Sequence, residues 1–186
     1  NPPAKVAAEA PVTPADTVNT GTEPVTPAAL QQQLALSLES IPFRLIPNEV
    51  MTTEQLTPNV LLGLYGAADR KGLYAIGLMD AHAVCMVGGG ASRMAPAEVR
   101  MAMAQSQPDE VMLKCAREFL KGCAACLTDT TPGSATEVTL AKASVVKSNF
   151  AKLAEVLAQA GNRSDFRLSI PGYGEGRMAF FVMVPA

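Results

Sequence analysis

Four groups of residues in this chain have types and spacings that chemistry uses: Glu118 and Lys121; Cys123 and Cys126; His82; and Gly88-Gly89-Gly90. Glu and Lys three or four apart fall on one helical face, where they either meet a partner or form a solvated surface pair. The C-x-x-C of Cys123 and Cys126 has the spacing of a dithiol redox pair or of half a zinc site. No second cysteine pair completes a zinc set, His82 is distant in sequence, and the motif falls near a helix end. A redox motif belongs at the start of a helix that follows a strand. The favoured reading of Cys85, Cys115, Cys123 and Cys126 is therefore small buried thiols in a reducing compartment. A histidine side chain is a candidate general base. His82 stands in the first turn of a short helical stretch with no Ser, Cys or acidic partner apparent, which reads as structural or solvated. The three glycines follow that stretch, and no Lys-Ser/Thr pair comes after them. A nucleotide loop lies between a strand and a helix N-terminus, so here the run reads as a helix C-cap.

These residues must be positioned by one compact unit. The chain has 186 residues, 48% of them hydrophobic, and a formal charge of -2. That is enough for one sizeable core and predicts one domain. Lys and Arg are scattered rather than gathered into a basic face, which argues against nucleic acid as a partner. The longest apolar runs, 73–78 and 180–184, fall far short of the roughly 20 residues that span a bilayer. The expectation is a soluble, cytoplasmic protein with no membrane insertion, no metal and no cofactor.

Residues 1–28 combine repeated Pro with Ala, Thr and Val and contain no aromatic residue. They read as a disordered Pro/Ala-rich linker. Residues 29–186 then read as the folded domain. Leu30, Leu34 and Leu38 line one face of a helix over 28–40. Strands are expected over 43–46, 60–67 and 73–79, the last two as an antiparallel hairpin around the polar turn 68–72. Asp80 caps a helix over 81–87, and a further helix covers 95–104. Asp109 and Glu110 open the strongest helix, reaching about residue 127, with Val111, Cys115, Phe119 and Cys123 or Leu120 inward. A strand over 137–146, a helix over 148–159 with Phe150, Leu153, Val156 and Leu157 inward, and strands over 166–170 and 178–184 complete the order. The fold class is α+β, helices packed on a largely antiparallel sheet.

This order of elements resembles the CheC/CheX/FliY family of chemotaxis aspartyl-phosphate phosphatases, and CheX most. The resemblance is carried by a leading helix, the hairpin LLGLYGAADRKGLYAIGL, a short helix ending in Gly, a long helix with an acidic residue, and a closing LSIPGYGEGRMAFFVMV. It implies a CheC/CheX-like fold with pseudo-two-fold halves. It implies a response-regulator receiver, or another chemotaxis or flagellar protein, as partner, and a homodimer as a possible state. In that family the long helix carries E-x-x-N, with Ser or Asp four positions before the Glu. Those positions fall on Glu118, Lys121 and Lys114, so the motif is degenerate and only the carboxylate matches.

In the family the Glu pairs with the receiver's lysine while the Asn amide positions the attacking water. An amide donates and accepts hydrogen bonds, whereas an ammonium only donates. The expectation is a partner-binding module, with Glu118, Lys121 and Lys114 as its contact residues and Glu118 as the one remaining catalytic position, without efficient hydrolysis. The strand after this helix also lacks the family's proline, and the short helix over 81–87 contains neither Glu nor Asn. One alternative is a working phosphatase using Glu118 with Ser106, Gln107 or Asn149 to place water. Another is a structural homo-oligomer pairing through 178–184 as an edge strand.

Overall fold

The structure, a computed structural model, describes residues 23–127 and 136–184. The linker expected over 1–28 therefore lies largely outside the described residues. Packing has already begun at Val25, which is fully buried and donates its backbone N–H to Ser164 Oγ at 3.2 Å.

In chain order the elements are α1 (Pro27–Leu38), β1 (Arg44–Pro47), a 3₁₀ turn (Thr53–Gln55), β2 (Val60–Ala67), β3 (Ala75–Met79), α2 (Ala81–Ala91), α3 (Pro96–Ala104) and α4 (Glu110–Gly122). A second 3₁₀ turn (Cys123–Cys126), β4 (Val138–Val146), α5 (Ala151–Ala158), β5 (Ala160–Ile170) and β6 (Gly174–Met183) follow. The strands form one antiparallel sheet in the order β1-β5-β6-β3-β2-β4. This is the α+β arrangement that the sequence pattern predicts.

Alternation along the strands divides the core in two. Leu61, Tyr65, Met79, Met178 and Phe180 face α1 to α4, whereas Val60, Ile76, Leu78, Ala179 and Phe181 face α5 through Leu153. β3 and β6 are central and buried on both faces, which is why both read as continuous apolar runs. The edges are β1 and β4. Residues 178–184 are thus not an edge: β6 is paired on one side with β5 and on the other with β3, and it has no free backbone to offer a second copy.

The expected glycine C-cap is also corrected. Gly88, Gly89 and Gly90 lie inside α2, at about 100° intervals around it, and each admits a different neighbour. A Cβ would stand 2.1 Å from the Met112 carbonyl oxygen of α4 at Gly88, 2.5 Å from Val99 Cγ2 of α3 at Gly89, and 2.7 Å from Leu38 Cδ2 of α1 at Gly90. On the remaining side, Gly176 of β6 approaches the Ala83 backbone. From Ala83 to Gly90 the helix is apolar all round because it is enclosed all round. Its true end is at Ser92, whose Oγ donates to Gly88 O at 2.7 Å, followed by Arg93 at φ 59°.

Candidate functional site

Enclosure of α2 gives α4 a fixed bed. Asp109 caps α4 by accepting from Met112 N at 2.8 Å, and Met112, Leu113, Ala116, Phe119 and Leu120 turn inward. Tyr65 Oη of β2 donates to Leu120 O at 2.7 Å, fastening the C-terminal turn to the sheet; burial raises the pKa of this phenol well above its usual value, so it remains a donor. Val111 was expected inside. It is 49% exposed, and Met112 takes the buried position.

The consequence is one outward stripe at helical spacing: Val111, Lys114, Glu118, Lys121 and, past the helix end, Ala125, all exposed. Lys114, Glu118 and Lys121, expected from the sequence as contact residues, are brought together here. None of the ion pairs among the described residues involves any of them. Val111 is the member that sequence reasoning missed; helical spacing from Lys114 was the signal that could have found it.

The residues weighed for placing water lie off the middle of the stripe. Ser106 and Gln107 lie before the start of α4, and Glu118 is eight residues into that helix, about 12 Å along its axis. The carbonyl of Ser106 is taken by Asn59 Nδ2 at 2.7 Å. Asn149 lies two residues before α5, just ahead of its N-cap Phe150, on the opposite face of the sheet. None of the three residues weighed for placing water stands beside Glu118.

His82 lies elsewhere, in the first turn of α2. It lines a cavity of about 320 Å³ with Asp80, Thr57, Arg167, Glu175 and Arg177. Arg167 is held by Glu49 at 3.0 Å and Glu175 at 3.5 Å, and Arg177 donates to Gln55 Oε1 at 3.4 Å. No Ser or Cys lines it. Among the described residues, no group of three or more His, Cys, Asp or Glu side chains is placed to hold a metal ion. No described helix is long and apolar enough to cross a membrane.

Asp80 caps α2 by accepting from Ala83 N at 2.7 Å, and burial raises the pKa of its carboxyl, outweighing the backbone hydrogen bonds and the nearby His82 and Arg177. A carboxyl whose folded pKa lies above its unfolded value favours folding in the protonated state, so its contribution falls as pH rises through the folded pKa. Asp80→Asn keeps the cap and removes this titration. Thermal unfolding measured from acid to neutral pH should show a loss of stability with rising pH in the parent that is reduced in the variant. Asp80→Ala, lacking the cap, should cost about 1 kcal/mol.

No protein-family model matches the sequence, and no curated protein matches it. Solved structures share its fold. The FliM middle domain from Vibrio alginolyticus superposes with a TM-score of 0.53 at 12% identity, over 83% of this chain and 90% of that one. FliM from a FliM–SpeE complex of H. pylori gives 0.52 at 12% identity, over 83% and 80%. Thermotoga maritima FliY gives 0.51 at 12% identity, over 83% and 82%. The chain has a CheC/CheX/FliY-type fold.

Proposed function

We propose that this chain is a chemotaxis- or motility-type docking module that engages a response-regulator receiver, or a flagellar protein, through the outward stripe of α4 in the cytoplasm. The observation that carries this reading is that Lys114, Glu118 and Lys121 stand exposed on one face, outside every ion pair among the described residues, on a helix anchored at both ends. Charges presented without a partner of their own set orientation and register in a complex. Val111 adds apolar area beside them, as the core of an interface needs. The fold supports the reading by likeness: one of the FliM structures that share it was solved in complex with SpeE.

Docking without efficient hydrolysis follows from Lys121. Its ammonium attracts a phosphate but has no acceptor with which to orient water for attack on an acyl phosphate. Titration with a beryllofluoride-activated receiver domain tests the docking. Glu118→Ala should weaken binding about tenfold, equivalent to about 1.4 kcal/mol. Equal affinity of the parent, Glu118→Ala and Lys114→Ala would remove α4 from the interface.

A further inference from the structure

We propose that Cys123 and Cys126 form a thiol–disulfide exchange site that takes small-molecule disulfides, with Cys126 as the attacking sulfur and Cys123 as the resolving one. The 3₁₀ turn over Cys123–Cys126 places the pair within reach of each other. A 3₁₀ helix has three residues per turn, so side chains at i and i+3 eclipse, and a rise of about 2.0 Å per residue sets their Cα atoms about 6 Å apart. That separation lies inside the roughly 4.4–6.8 Å that a disulfide bridges. In the structure the Cys126 thiol donates to Ala29 O of α1 at 3.6 Å, and the two thiols lie close enough to shift one another's ionisation.

The two sulfurs are unequal in the way that exchange requires. Cys123 is fully buried against the core, whereas Cys126 is half-buried and opens onto a groove of about 580 Å³ between α1 and the turn, bordered by Ala29, Gln32, Gln33, Leu36 and Ala125. That volume lies in the range of small-molecule sites. Burial pushes the Cys123 thiol up, and its interaction with Cys126 raises it further. The same interaction holds Cys126 below the usual thiol range, partly offset by that sulfur's own burial. Cys85, by contrast, is buried and pushed up to about 12, which leaves it inert.

The chemistry balances in two exchanges. Cys126 thiolate attacks one sulfur of the small disulfide, forming a mixed disulfide and expelling one small thiolate. Cys123 then gives up its proton and attacks Cys126 Sγ, closing the internal disulfide and expelling the second small thiolate. The two protein thiols are oxidised by two electrons, and the small disulfide is reduced to two thiols.

Oxidised glutathione and the intact chain test this. After reaction of the native protein, the free-thiol titre counted on denaturation should fall from four to two, the mass should drop by two hydrogens with no glutathione retained, and peptide mapping should place the bridge between Cys123 and Cys126. Cys123→Ser should stop at a stable glutathione adduct on Cys126, and Cys126→Ser should retain its remaining thiols. No reaction of the native protein, a lasting adduct in the parent, or a bridge through Cys85 or Cys115 would overturn the proposal. The measurement on the parent stands even if a variant at the buried Cys123 folds poorly.

Discussion

Gly88→Ala should be the most damaging single methyl group that can be added to α2. Its Cβ would lie 2.1 Å from the Met112 carbonyl oxygen and 2.6 Å from that residue's Cα. Both are backbone atoms of α4, so no side chain can rotate away. The helices must separate by more than an ångström, and that separation also opens the contacts that Gly89 makes with Val99 and Gly90 with Leu38. Overpacking of a core costs typically about 1–3 kcal/mol, and a backbone-on-backbone clash belongs at the upper end, so about 3 kcal/mol is expected. This opposes the usual benefit of Ala over Gly within a helix, about 1 kcal/mol. Gly66→Ala in β2 is the matched control, because nothing lies within 4 Å of its added Cβ. It should change stability by no more than about 0.5 kcal/mol. Urea denaturation of the two variants checks both, and equal midpoints would contradict the packing described for α2.

Asp165→Ala should come next. This carboxylate is buried on β5, with its side chain 3% exposed. It accepts from Met51 N at 2.9 Å and takes both arms of Arg163, at 2.7 Å from Nε and 2.5 Å from Nη2. Arg163 in turn donates to Met51 O at 2.9 Å and lies over the Phe181 ring, 4.8 Å from its centroid. The cluster ties the segment before β2 to β5. Removal of the carboxylate leaves a buried N–H without a partner and a guanidinium without its counter-charge. The expected cost is about 3 kcal/mol. For a chain of this size that is a fall in melting temperature of roughly 6–12 °C. Asp165→Asn keeps an acceptor for Met51 and should lose about half as much. A variant series that melts with the parent would remove the cluster from the account of stability.

The contrast between α1 and α2 shows where the sequence is legible. Leu30, Leu34 and Leu38 recur at helical spacing beside a Pro at the start, and the helix lies there because one face is buried and the other is wet. The hairpin of β2 and β3 is equally plain, since its alternation and polar turn depend on neighbours in sequence. α2 is different. A Gly run after a helical stretch is ordinarily a terminator, and only the three helices pressed against it, all distant in sequence, reverse that reading. β5 shows the same limit: Gly161 to Asp165 carries turn-forming and charged residues, yet it is strand because β6 pairs with it and Arg163 satisfies Asp165.

Within the candidate site, Lys114, Glu118 and Lys121 were singled out by the family resemblance, and their helical spacing put them on one face. The exposure of Val111 was not, because an apolar residue in an amphipathic helix reads as core until the partner elements fix the helix's rotation. The unequal exposure of Cys123 and Cys126 was hidden for a related reason. It depends on α1, distant in sequence, which borders the groove at Cys126 and packs so closely that a Cβ at Gly122 would meet Gln33 at 2.0 Å.

Phosphate release from a phosphorylated receiver domain, followed in a single turnover with and without an excess of this chain, tests docking without hydrolysis most directly. The proposed role predicts that the receiver loses phosphate at its own intrinsic rate while bound, and that Lys121→Asn, which returns an amide to the position one turn after Glu118, accelerates release. Rapid release by the parent chain that disappears in Glu118→Ala would contradict it.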